Sequence, residues 1–222
     1  MNGVQWRWAG SGVLFDMDGT LVDSGGSVLR AWRWVAEQLD RPFSAFVPYL
    51  HGIPAGQVLD TVLPSLSANR RDELVSSMLG RQCSDVFDVT AVPGALAALD
   101  ALPTARWAVV TSATRELAIA RMQSAGLPLP RVLITAELTE LGKPAPEPFL
   151  LAAARLGFEA GRCLVVEDSP AGVSAGRASG APVLGVLTSA ASLDGVLHQV
   201  ADLSEVEFAA DRGGVLVIAA AR

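Results

Sequence analysis

The sequence is poor in cysteine, in charge and in long apolar runs. It has 2 cysteines in 222 residues, Cys83 and Cys163, far apart in the chain. They read as two reduced, packed thiols of a cytoplasmic protein, not as a disulfide or a metal site. Only 18% of residues are charged against 50% hydrophobic, which excludes a disordered chain and allows a sizeable core. The net charge is −6 and no Lys/Arg block occurs, so neither nucleic acid nor an anionic membrane is an expected partner. No apolar stretch approaches the roughly 20 residues that span a bilayer. The segment Met1–Ser11 carries Trp6 and Trp8 but no apolar run of signal-peptide length, so export is not expected. There are no repeats and no low-complexity linker. The length suits one large domain, or a core with a modest insert.

What is present is an alternation. Short apolar runs at Gly12–Phe15, Trp107–Val110, Val132–Ile134, Cys163–Val166 and Pro182–Leu187 have the composition of strands buried on both faces. Helical patterns lie between them at Gly94–Leu102, Thr114–Ala125, Glu147–Leu156 and from Ser169-Pro170 to near Gly180, with Gly126 and Gly157 placed as stops. The expected fold class is α/β, a Rossmann-like parallel sheet with helices on both faces. The segment 24–91 breaks the rhythm. It offers helices at Leu29–Leu39, Ala55–Leu63 and Arg71–Leu79 and no convincing buried strand, so it reads as a small all-helical domain (24–91) inserted after the first strand of a core (1–23 and 92–222). Gly214–Ala221 is expected to add an edge strand or a hairpin.

The polar residues that follow the strands carry the chemistry. The first strand runs into Asp16-Met17-Asp18-Gly19-Thr20, the second into Thr111-Ser112 and the fourth into Glu167-Asp168; Lys143 lies on the loop after the third. Ligands of open parallel sheets bind beyond the carboxyl ends of the strands, where these groups would meet. Asp16, Asp18, Glu167 and Asp168 together would raise one another's pKa unless neutralised. A hard cation with oxygen ligands is the natural remedy, and Mg²⁺ suits it when phosphate supplies further oxygens. The hydroxyls of Thr111 and Ser112 and the Lys143 ammonium would complete an anion site that binds the substrate phosphate, and together this is the inventory of phosphoryl transfer. Each piece has a plainer reading alone: Asp18-Gly19 as a hairpin turn, Thr111-Ser112 as a strand end, Lys143 as a solvated loop lysine, and Glu167-Asp168 as charge favouring a helix start. Their joint occurrence, in order, at one end of one sheet is what favours a site.

These residues resemble the four-motif signature of the haloacid dehalogenase-like hydrolases, over Gly12 to about Leu187. The runs from Leu141 to Pro148 and from Val166 to Val173 are similar to the branch that holds β-phosphoglucomutase, glycerol-3-phosphate phosphatases and sugar phosphatases. The resemblance implies Asp16 as nucleophile and Mg²⁺ ligand, and Asp18 as general acid/base with a metal-binding backbone carbonyl. It implies Thr111 and Ser112 on the phosphoryl oxygens, Lys143 as the charge that orients Asp16, and Asp168 with Glu167 on the metal. It implies that 24–91 is a helical cap. His51, in that cap, is a candidate substrate contact or a packing residue; Ile53 follows His51-Gly52 where many relatives carry a basic side chain. Asp23 and Ser24 could line the entrance, Trp32, Trp34 and Tyr49 read as cap packing, and Arg30 is left open between core and solvent.

The expectation is therefore a phosphatase of small phosphorylated metabolites, sugar or polyol phosphates, acting through an aspartyl-phosphate as a monomer or weak homodimer. A sugar phosphomutase on the same residues is the alternative. A non-catalytic binding protein would have let an acidic motif residue go, and a dehalogenase has no need of Asp18.

Overall fold

The computed structural model describes residues 4–49, 54–211 and 213–220. In chain order the elements begin with β1 (Val4–Gly10), β2 (Gly12–Phe15) and β3 (Val22–Asp23). Three helices follow, α1 (Gly25–Gln38), α2 (Ala55–Val62) and α3 (Ala68–Ser84), then β4 (Thr90–Ala91) and α4 (Ala95–Asp100). Strands and helices then alternate: β5 (Trp107–Val110), α5 (Arg115–Ser124), β6 (Leu133–Ile134), α6 (Glu147–Leu156), β7 (Cys163–Glu167), α7 (Pro170–Ala178) and β8 (Val183–Val186). Three more strands close the chain, β9 (His198–Val200), β10 (Val206–Asp211) and β11 (Gly214–Ala220).

The main sheet has six strands in the order β6-β5-β2-β7-β8-β9, and each of its pairings is parallel. From β2 the chain winds outward through β5 and β6, then returns to the other side of β2 with β7. That reversal opens a crevice at the carboxyl ends of β2, β5 and β7. The central strands are buried on both faces, which is why they read as continuous apolar runs. Their alternate residues serve opposite cores. Val13, Phe15, Trp107, Val109, Leu164 and Val166 face one apolar cluster, while Leu14, Ala108, Val110, Cys163 and Val165 face the other.

The second cluster is covered by helices, through Phe149, Ala152 and Ala153 of α6 and Val173 and Ala175 of α7. The first is covered differently from the expectation of helices alone. α4 and α5 contribute Ala95, Leu99, Leu117 and Met122, but β10 and β11 add Val206, Phe208, Val215 and Val217. These two strands and β1 form a separate antiparallel sheet, ordered β1-β11-β10. The carboxyl-terminal hairpin was foreseen; that β11 is the middle strand of a sheet, and no edge of the main one, was not. The rings of Phe15 and Phe208 lie 5.6 Å apart and tie the two sheets together.

The hairpin reading of Asp18-Gly19 is half right. Gly19 has φ +85°, and the amides of Leu21 and Val22 fold back to the Met17 carbonyl. The strand that follows, β3, then pairs with β4 instead of returning along β2. The helices α1–α3 share a core of their own around Trp32, Val35, Phe46, Leu59, Leu74 and Met78, with Trp32 stacked on Phe46 at 5.4 Å. Trp34 lies under the Arg81 guanidinium at 4.4 Å, and Tyr49 packs against the same core. α3 extends three residues before and five beyond the expected Arg71–Leu79. Arg30 reaches neither the site nor open solvent alone: it pairs with Asp85 and Asp88, each at 2.7 Å. No helix among the described residues is long and apolar enough to cross a membrane.

Candidate active site

The strand geometry brings the expected polar residues to one rim. Asp16 directly follows β2, and its amide donates to the Val166 carbonyl of β7 at 2.9 Å. Thr111 directly follows β5, and its amide donates to Ile134 of β6 at 2.9 Å. Glu167 is the last residue of β7 and Asp168 the next. Lys143, from the loop between β6 and α6, enters from the side. Its Nζ donates to Asp16 Oδ1, to Glu167 Oε1 at 2.7 Å and to the Val110 carbonyl at 2.9 Å. All three ammonium hydrogens are thus spent on orienting the site.

Glu167 is fully buried. Its second oxygen accepts from the amides of Asp168 and Ser169 and from the Ser169 hydroxyl, each at 3.0 Å. Ser169 also caps α7, accepting from the Gly172 amide at 3.1 Å. A Cβ at Gly172 would overlap the Glu167 carboxylate, so the glycine is what lets this carboxylate tuck under the helix start. Gly19 does the same for Asp168, whose carboxylate would meet a Cβ there.

One carboxylate oxygen each from Asp16, Glu167 and Asp168 lies within 4.8 Å of the others. Burial, then the charge of Glu167, raises the pKa of Asp16 well above the carboxylate range, with Lys143 pulling the other way. Asp168 is pushed up to about 7, again by burial first and Glu167 second. Burial works against the Lys143 ammonium, but Asp16 and Glu167 outweigh it and raise its pKa. Crowded, buried oxygen donors that resist ionisation fit a hard divalent cation, which would remove the penalty. Asp16 and Asp168 also border the adjoining cavity, whereas Glu167 does not and has its oxygens committed.

That cavity has a volume of about 480 Å³. Asp16, Asp18, Thr111, Ser112, Lys143 and Asp168 line it from the sheet, and Val28, Trp32, Met78 and Leu79 from α1 and α3. Trp32 therefore packs the helical core and also borders the cavity. Thr111 Oγ1 accepts from the Ala113 amide at 3.0 Å, which leaves its hydrogen to donate. Asp23 and Ser24 both line the cavity. His51 lies outside the described residues.

Four residues escaped sequence reasoning. Thr188 and Ser189 follow β8, with Thr188 donating to the Gly19 carbonyl and Ser189 bonding Asp168. The rule applied to the other strand ends would have found them. Arg121 and Gln82 gave no such signal. Arg121 Nη1 donates to Asp18 Oδ1 at 2.7 Å, an oxygen that also accepts from Ser24 Oγ at 2.7 Å, and Arg121 Nη2 donates to Gln82 Oε1 at 3.0 Å.

Known proteins resemble this chain in sequence and in fold. The family described as haloacid dehalogenase-like hydrolase matches residues 11–180. Hexitol phosphatase A of Escherichia coli is 38% identical over 204 residues, covering 87% of this chain and 93% of its own. Glycerol-1-phosphate phosphohydrolase 2 of Saccharomyces cerevisiae is 31% identical over 193 residues, covering 79% of this chain and 74% of its own. Among solved structures, a β-phosphoglucomutase from Clostridium difficile has the same fold, with a TM-score of 0.77 at 22% identity over 89% of this chain and 93% of that one. The chain belongs to the haloacid dehalogenase-like hydrolases.

Proposed function

We propose that the protein is a phosphatase of sugar or polyol monophosphates that works through a phosphoaspartate on Asp16 and depends on Mg²⁺. The observation that carries this is the setting of Asp16: buried on the cavity wall, held by a lysine on one side, facing a second carboxylate and lying two residues from Asp18. The relatives support the substrate class, since one is named for hexitol phosphates and another for glycerol 1-phosphate.

Asp16 attacks phosphorus through the oxygen that Lys143 does not hold. An Asp16 O–P bond forms in line as the bond from phosphorus to the ester oxygen breaks. Asp18 gives its proton to that departing oxygen. It then takes a proton from water, whose oxygen attacks phosphorus and frees Asp16 with release of inorganic phosphate. The hydroxyls of Thr111 and Ser112 donate to the phosphoryl oxygens, and Lys143 offsets the charge on Asp16. The carboxylates of Asp16 and Asp168 and the Asp18 backbone carbonyl would hold Mg²⁺, with Glu167 beside them anchoring Lys143. The ion would supply positive charge to the crowded carboxylates and to the transferring group. The helical segment 24–91 serves as a cap over the core of 1–23 and 92–222, shielding the site from bulk water. A cytoplasmic setting belongs to the same reading.

A mutase would need a cation for a second phosphate. The cations lining the cavity among the described residues are Lys143 and Arg121, and both are engaged with carboxylates. Hydrolysis is therefore preferred. The test is a panel of hexitol, hexose, pentose and glycerol phosphates with and without Mg²⁺. Free phosphate from monophosphates, only with the metal, is expected; an isomerised sugar phosphate without free phosphate would replace this reading with the mutase.

A further inference from the structure

Arg121 is out of place for a structural residue. It lies on the buried stripe of α5 with Leu117, Ala118 and Met122, where an apolar side chain would pack at no electrostatic cost. Its side chain is 4% exposed, and its Nε–H is buried without a partner. Burying a guanidinium with a donor unsatisfied works against folding. A compensating role is to be sought in what the other two nitrogens hold.

They hold the proposed acid/base and the helical segment together. One binds Asp18 and the other binds Gln82 of α3, the helix that also brings Met78 and Leu79 to the cavity. Asp18 is the more exposed partner, at 30%, and its side chain also accepts from the Ser24 hydroxyl just before α1. Both donors converge on Oδ1, so they fix the carboxylate plane and leave Oδ2 for the proton that is exchanged.

We infer that Arg121 is a positioning residue that aims Asp18 at the leaving oxygen, and that Gln82 makes this aim depend on how α3 sits over the core. The inference rests on the phosphatase reading above. Proton delivery to the departing oxygen matters in proportion to that oxygen's basicity. An alkoxide leaving from a polyol phosphate needs the proton; p-nitrophenolate does not. A residue that aims the proton donor therefore betrays itself by the leaving group, which a merely structural residue would not.

The experiment compares glycerol 1-phosphate with p-nitrophenyl phosphate in wild type, Arg121→Met, Arg121→Lys, Ser24→Ala and Gln82→Ala. Arg121→Met is expected to lower kcat/KM on glycerol 1-phosphate about 100-fold with KM little changed, and kcat/KM on p-nitrophenyl phosphate less than about 5-fold, because kcat/KM reports formation of the phosphoaspartate and not its hydrolysis, which both esters share. Arg121→Lys should recover part of the difference. Ser24→Ala and Gln82→Ala should show the same selectivity at about 10-fold or less. Equal losses on both substrates, or a loss confined to KM, would overturn the inference. If Arg121→Met fails to fold, the other three variants decide it by the same criterion. Wild-type protein inert towards both esters would instead defeat the phosphatase reading itself.

Discussion

At the scale of single residues, the site depends on small side chains as much as on charged ones. Gly172 has room for a hydrogen only, because the Glu167 carboxylate occupies the place of a Cβ. Glu167 in turn holds Lys143 at 2.7 Å, and Lys143 holds Asp16. Gly172→Ala must displace a buried carboxylate and is expected to destabilise the protein by about 2–4 kcal/mol, measured by urea unfolding. Phosphatase activity of the folded fraction should fall as well, since Lys143 loses its anchor. A variant as stable and active as wild type would mean that Glu167 does not set the lysine. The ionisable groups of this site were legible because each follows an apolar strand. Arg121 was not, since it sits among apolar residues on a helix, and Gln82 was not, since it too lies on a helix and follows no apolar strand.

At the scale of elements, legibility followed burial. Strands covered on both faces show as unbroken apolar runs, and β2, β5, β6, β7 and β8 were placed within one or two residues of their ends. β10 alternates buried Val206 and Phe208 with exposed Glu207 and Ala209, and β9 has Val200 as its one buried residue, so neither stood out. The helices α1, α2 and α3 were each expected, α1 by its amphipathic pattern, though α3 proved longer than the expected Arg71–Leu79. The antiparallel sheet was missed as a unit because its outer strands, β1 and β10, come from opposite ends of the chain. Its contribution is measurable. Phe208 is 7% exposed and packs on Phe15, next to the residue that carries the site. Phe208→Ala is expected to cost about 3–4 kcal/mol. A cost below about 1 kcal/mol would show that this sheet is peripheral to the core.

At the scale of the whole molecule, the main sheet and the helical segment meet at one rim. The sheet supplies groups fixed by strand pairing, and the helical segment supplies the wall facing them. The cavity between them, about 480 Å³, suits a small monophosphate. Arg121 spans the same divide, bonded to Asp18 on one side and to Gln82 on the other. All of it presupposes that the buried Asp16 is the group on which phosphate is carried. The direct measurement is to mix the protein with Mg²⁺ and radiolabelled substrate, quench with acid, and locate the label by peptide mapping. One labelled peptide is expected, containing Asp16, absent from Asp16→Asn and absent without Mg²⁺. Steady phosphate release by Asp16→Asn, or label on any other residue, would contradict the proposed chemistry.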